Sequence, residues 1–267
     1  MTLPQAFLLG LLQGLTEFIP VSSTAHLLIA QQLLGIPASD AVFSFLVIVQ
    51  LGTLVSLFAF YWKDLLTILR ATLAFRHPTP ERNLGLYLLL ATVPALLAGY
   101  LLKDAVEALF RQPLLEAAIR LLAAALLLTL AEWLTRKSRR LDSLTWLDAL
   151  IIGLFQVLAV FPGASRSGTT ISAGMFRGLD RPSAARFAFL MSVPVMLAAG
   201  AYELLDVLKM PDLGSFLLPL GAGFLTAAVF GWLAIKWLIG YLSKHSLYVF
   251  AAYCAALGLL VLTVQLL

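Results

Sequence analysis

The sequence predicts an all-α integral membrane protein of about six transmembrane helices plus two re-entrant broken-helix hairpins, the whole arranged as an inverted-topology repeat. Three observations predict it. Of 267 residues 61% are apolar and only 12% charged, against ~45–50% apolar in soluble domains. Apolar stretches of about 20 residues recur, long enough to cross a hydrocarbon core of ~30 Å. Two further stretches hold polar groups and a proline where an unbroken span would be apolar.

Residues 3–35 form the first hairpin. Pro20 in "FIPVSST", near the midpoint of the segment, lacks an N–H donor and breaks the helix into two halves that meet at a turn. Full spans follow near 41–62, 84–103 and 114–134. Segment 148–178 is the second hairpin, with Pro162 in "FPGASRSG", and spans near 187–207, 215–238 and 247–267 complete the chain.

Charge gives the expected orientation. Basic loops at 63–83 (Lys63, Arg70, Arg76, Arg82), 135–147 (Arg136, Lys137, Arg139, Arg140), 177–186 (Arg177, Arg181, Arg186) and 236–246 (Lys236, Lys244) should be cytoplasmic. Connections 103–113 and 208–214, holding Lys103, Arg111 and Lys209, should face outward. Segment 3–35 must then begin and end outside, and 148–178 inside, so the two hairpins enter from opposite faces. They also match without gaps at an offset of 143 residues: Gln13 on Gln156, Leu15 on Leu158, Phe18 on Phe161, Ser22 on Ser165 and Thr24 on Ser167. An inverted repeat places its site between broken helices deep in the membrane.

The net charge of +4 resides in these short loops, which argues against nucleic acid as a partner and for a membrane surface. The first Lys or Arg is Lys63, so no cleaved basic leader is expected. Cys254 is the single cysteine and reads as packing. Residues 1–267 form one membrane domain with no soluble insertion. Gly221 and Gly223 are candidates for close helix approach or a homodimer face, internal packing being the commoner use of such glycines.

The chemistry lies in the two turns. In "PGASRSGTT", Arg166 stands between Ser165 and Ser167, with Gly163 and Gly168 flanking and Thr170 following. An intramembrane arginine needs a partner or a wet cavity, and its planar fork matches phosphate or carboxylate oxygens. Glycines let backbone N–H groups approach an anion, and a helix restarting at about Thr169 would aim its positive end at the turn. The plainer use is a helix cap with an arginine reaching the interface.

In "QGLTEFIPVSSTAH", Gln13 and Glu17 share a helix face at i, i+4, and Ser22, Ser23 and Thr24 follow the proline, with His26 beyond. Hydroxyls there cap helices more often than they attack, and Glu17 alone could simply pair with Arg166. Together, a carboxylate, an imidazole and hydroxyls opposite an arginine cradle suit phosphoryl transfer.

Both motifs resemble those of the bacterial undecaprenyl pyrophosphate phosphatase family, the bacitracin-resistance type of membrane phosphatase. Its first signature is similar to Glu/Gln-Gly-x-Thr-Glu-Phe-x-Pro-Val-Ser-Ser-Thr-Gly-His, and its second to Pro-Gly-x-Ser-Arg-Ser-Gly-x-Thr. The resemblance implies hydrolysis of undecaprenyl pyrophosphate to the monophosphate carrier lipid of cell-wall synthesis, at the outer face of the plasma (inner) membrane, with Mg²⁺ or Ca²⁺. It implies Arg166, Glu17, Ser23 and His26 as catalytic residues. Ser22, Thr24, Gly163, Ser165, Ser167, Gly168 and Thr170 would bind the phosphates, and Glu17 with Gln13 the metal. Two departures stand out: Gln13 where many relatives carry an acid, leaving one carboxylate for a cation, and Ala25 where glycine is usual. Ser23 attack, with His26 or Glu17 as base, and direct attack by His26 both fit the sequence. The rival function is a polyprenyl-phosphate flippase or anion transporter that uses the same site.

Overall fold

The computed structural model describes residues 1–37, 39–74, 79–102, 113–136, 138–160, 165–207 and 213–266. The chain forms α1 (Leu3–Phe18), α2 (Ser23–Leu33), α3 (Asp40–Leu73), α4 (Pro80–Leu101) and α5 (Pro113–Leu134), then α6 (Trp146–Gln156), α7 (Arg166–Phe176), α8 (Arg181–Val207), α9 (Leu213–Leu242) and α10 (Tyr248–Leu266). Among the described residues, two short α-helices followed by three long ones thus occur twice. The six long helices are each long and apolar enough to cross a membrane. Pro162, Gly163 and Phe161 lie outside the described residues.

The first hairpin breaks where proline requires it. α1 stops at Phe18, Ile19 is extended, and α2 begins at Ser23 after the turn through Pro20. Prolines 94, 194 and 219 sit inside long helices, a use that neighbouring helices tolerate in membranes. α3 outruns its expected span: its 34 residues extend past Lys63, with a departure from helical geometry at Tyr61, for a length of ~51 Å. Its extension is pinned to α8 by a 2.7 Å ion pair between Asp64 and Arg186.

The two halves pack by exchange of partners. α1 lies chiefly on α9 while α6 lies on α4, and α3 meets α9 as α8 meets α4. α5 packs on α10, closing the bundle, and α7 sits between α5, α6 and α8. The main core includes Phe18, Leu57, Leu121, Ile171, Phe187 and Phe189, with the Phe18 and Phe189 rings edge to face at 5.3 Å.

Glycines set the depth of α1 on α9. A Cβ on Gly14 would fall 2.8 Å from the Ala227 carbonyl oxygen and 2.9 Å from the Gly231 nitrogen, and one on Gly10 would strike the Gly223 backbone. Gly153 of α6 makes the corresponding approach to Ala91 of α4. Gly223 is therefore an internal contact, facing Phe45 and Val49 as well, whereas a Cβ on Gly221 would meet nothing within 4 Å. Gly14→Ala should lift α1 off α9 and cost ~1–3 kcal/mol, as overpacking does, read as a lower melting temperature in detergent.

A buried acid anchors the second hairpin. Asp148, fully buried in the first turn of α6, accepts from Arg139 at 2.7 Å, from Arg177 at 2.7 Å and from the Thr145 hydroxyl at 2.8 Å. Thr145 and Asp148 also form a reciprocal capping box. Asp148→Ala removes the cap and leaves two arginines without their carboxylate, so a loss on the order of 3 kcal/mol is expected in denaturation experiments.

Candidate active site

The two turns meet. The Ser167 hydroxyl donates to the Ile19 carbonyl at 3.3 Å, and a Cβ on Gly168 would stand 3.7 Å from Pro20. Each turn ends in a helix N-terminus capped by a serine: Ser22 accepts from the Ala25 N–H of α2, and Ser165 from the Gly168 N–H of α7. The Ser165 cap is why α7 begins at Arg166, three residues before the expected restart at Thr169. Two helix N-termini side by side make a positive field suited to an anion.

Glu17 is the hub. It is buried near the end of α1, and both carboxylate oxygens are engaged. Oε2 accepts from the Ser23 hydroxyl at 2.7 Å and from Gln13 at 2.8 Å, while Oε1 accepts from Gln50 at 3.3 Å and pairs with Arg166 at 3.3 Å. A carboxylate only accepts, so Gln13 presents its amide nitrogen and keeps its carbonyl oxygen free of that bond. The i, i+4 spacing of Gln13 and Glu17 does place both on one face.

Arg166 has more donors than Glu17 uses. Its Nη2 pairs with Glu17, but its Nη1 is buried and has no hydrogen-bond partner among the described residues. An arginine N–H withdrawn from water without an acceptor is costly. A phosphoryl oxygen would supply the missing acceptor in the geometry that a guanidinium fork favours.

Ser23 is partly exposed at the first position of α2, where the helix field favours negative charge on its oxygen. The preceding Ser22 has φ 68° and ψ 89°, the one non-glycine residue with positive φ among those described. Such a backbone stores ~1–3 kcal/mol. Thr24 is partly exposed in the same turn, and Ala25 has the ordinary helical backbone its methyl implies.

His26 does not face Ser23. Its Nδ1 lies 2.8 Å from the Ser22 carbonyl oxygen and its Nε2 lies 2.7 Å from the Tyr253 hydroxyl. Thr170, also buried, spends its hydroxyl on the Arg166 carbonyl at 2.7 Å, and the Gly168 N–H is taken by the Ser165 cap. The structure thus gathers Gln13, Glu17, Ser23 and Arg166 directly, with Ser22, Ser165 and Ser167 shaping the turns around them.

Sequence reasoning passed over Gln50 and Tyr253. Gln50 is the single amide in the apolar run "FSFLVIVQLGTLVSLF", and a polar side chain in a span is itself a signal. Tyr253 gave none, since its partner lies 227 positions away.

Among the described residues no group of three or more His, Cys, Asp or Glu side chains is gathered for a metal ion. The site offers Glu17, already balanced by Arg166, and the neutral carbonyl of Gln13.

Fold and site together define a multi-pass helical membrane protein with a serine–carboxylate–arginine centre, its carboxylate buried, where the start of α7 meets the turn between α1 and α2. The model of the bacitracin resistance protein BacA family matches residues 6–260, and the chain belongs to that family. It is 44% identical to an undecaprenyl-diphosphatase of Anaeromyxobacter dehalogenans over 97% of this chain and 90% of that protein. Proteins of the same name from Chlorobium phaeobacteroides and Synechocystis are each 41% identical, over 97% of this chain and 95% and 81% of theirs.

Proposed function

We propose that this chain hydrolyses undecaprenyl pyrophosphate to undecaprenyl phosphate and inorganic phosphate, returning the carrier lipid to cell-wall synthesis. The observation that carries the reading is the buried Nη1 of Arg166, without a hydrogen-bond partner among the described residues, on an arginine that shares the Glu17 carboxylate with the Ser23 hydroxyl. The names of the relatives agree with it.

Ser23 Oγ attacks the terminal phosphorus as its proton passes to Glu17 Oε2, and the bond from that phosphorus to the bridging oxygen breaks. The lipid monophosphate leaves with the bridging oxygen. Glu17 passes that proton to the departing monophosphate, and water then attacks the phosphoserine as Glu17 takes a proton from it. The phosphorus–Oγ bond breaks, Ser23 Oγ recovers the proton from Glu17, and phosphate is released. Arg166 and the N-termini of α2 and α7 hold the equatorial oxygens, as preorganised donors do for developing charge. Glu17 rather than His26 is the base, because both nitrogens of His26 are committed elsewhere.

These residues fit a cation that takes most of its ligands from the substrate, since Mg²⁺ commonly binds through one carboxylate plus phosphates and water. Glu17 and the carbonyl of Gln13 would hold it, and it would neutralise pyrophosphate charge. The exchanged packing of the two halves supports an inverted-topology repeat within one domain, with 3–35 and 148–178 as re-entrant hairpins. The charge of the loops supports an active site toward the outer face of the plasma membrane.

Detergent-purified protein given undecaprenyl pyrophosphate, with and without Mg²⁺ or Ca²⁺, tests this by phosphate release. The same exchange of packing also suits a carrier; folded protein that binds the lipid but releases no phosphate would favour transport instead.

A further inference from the structure

The geometry points to Tyr253, on the last helix, as a positioning residue that holds the serine turn in its strained conformation through His26. The Ser22 carbonyl can only accept, so His26 Nδ1 carries the proton of that 2.8 Å bond. In the neutral ring Nε2 is then an acceptor, and Tyr253 donates its hydroxyl to it at 2.7 Å. The rings lie nearly parallel, 8° apart, as an in-plane bond at Nε2 allows.

The consequence falls on Ser22. Its carbonyl accepts twice from His26, from the backbone N–H at 3.3 Å and from the ring at 2.8 Å. This peptide joins the residue of positive φ to Ser23. A backbone held in a sparsely populated region persists only where its surroundings fix it. The relay from Tyr253 through His26 to the Ser22 carbonyl supplies that constraint at the residue preceding the nucleophile. A second contact shows α10 bracing the same turn: the buried Cys254 thiol donates to the Pro20 carbonyl at 3.8 Å.

The role is thus to aim Ser23 at Glu17. It rests on the proposed function for its kinetic consequence alone, since the hydrogen-bond relay exists without substrate.

The test uses full-length protein with ¹⁵N-labelled histidine. His26, His77 and His245 are its histidines, and His26→Ala assigns the resonances of the first. In the parent, His26 should show a protonated Nδ1 and an unprotonated, hydrogen-bonded Nε2. Tyr253→Phe should leave the melting temperature and KM in place, shift the Nε2 resonance to that of a nitrogen without a donor, and lower kcat roughly 3- to 10-fold, the scale of one hydrogen bond. In a His26→Ala background Tyr253→Phe should add no further loss, because the relay is already cut. A His26 ring protonated at Nε2, an Nε2 resonance indifferent to Tyr253→Phe, or an equal loss in the His26→Ala background would each overturn the proposal. If the parent protein released no phosphate, the proposed function would fail while the tautomer and resonance arms still decided the relay.

Discussion

Arg166→Ala is expected to cut phosphate release from undecaprenyl pyrophosphate at least ~100-fold, the loss seen when one preorganised donor is removed from a developing oxyanion. Arg166 holds two positions at once. Its Nη2 neutralises Glu17 at 3.3 Å and its buried Nη1 waits for an acceptor, so alanine removes the substrate contact and leaves a buried carboxylate without its cation. Arg166→Lys separates these effects. It keeps a positive charge near Glu17 but cannot serve two acceptors with a planar fork, so its stability should stay near the parent's while its turnover stays low. Near-parental turnover in a well-folded Arg166→Ala protein would remove Arg166 from the chemistry and the proposed mechanism with it.

How much of this was legible depends on the range of the interaction. The break after α1 was readable because Pro20 acts locally, and the shared face of Gln13 and Glu17 because i, i+4 spacing is a property of one helix. The six long helices followed from apolar length. The full extent of α3 did not, since apolarity marks what crosses the hydrocarbon and says nothing of a helix continuing through Lys63 and Asp64 to Leu73. α7 starts three residues before the expected Thr169 because the Ser165 side chain caps it, a bond that only the folded turn makes visible.

His26 is the clearest case of a role that sequence left open. Three residues beyond Ser23, it read as a base or, in a variant, as the nucleophile, with a polar helix residue satisfied by a neighbour as the plainer use. Its ring is turned instead by a tyrosine at the other end of the chain and by the carbonyl of Ser22. Gln50 entered the site by the same kind of long-range contact, from α3 onto Glu17. Neither bond has a periodicity or a motif to announce it.

Ser23→Ala is expected to lower turnover ~10³-fold or more, and Glu17→Gln by ~10²–10⁴, the range of general acid–base catalysis. In the proposed mechanism the two act as one unit, because Ser23 would be activated through its 2.7 Å hydrogen bond to Glu17 Oε2. Losses at such units do not add, so the double variant should be little slower than the worse single one. Glu17→Gln preserves shape and can still accept from Ser23 through its carbonyl, but it takes no proton and offers Arg166 no charge. Its defect should therefore include weaker substrate binding if Arg166 moves, a change that Ser23→Ala should leave out. Single-turnover experiments would separate the mechanisms further: a phosphoserine should accumulate on Ser23 in the parent and be absent from Ser23→Ala. If Ser23→Ala kept more than about a tenth of parental turnover, water would be the direct nucleophile with Glu17 its base, and the hydroxyl of Ser23 would be a phosphate ligand.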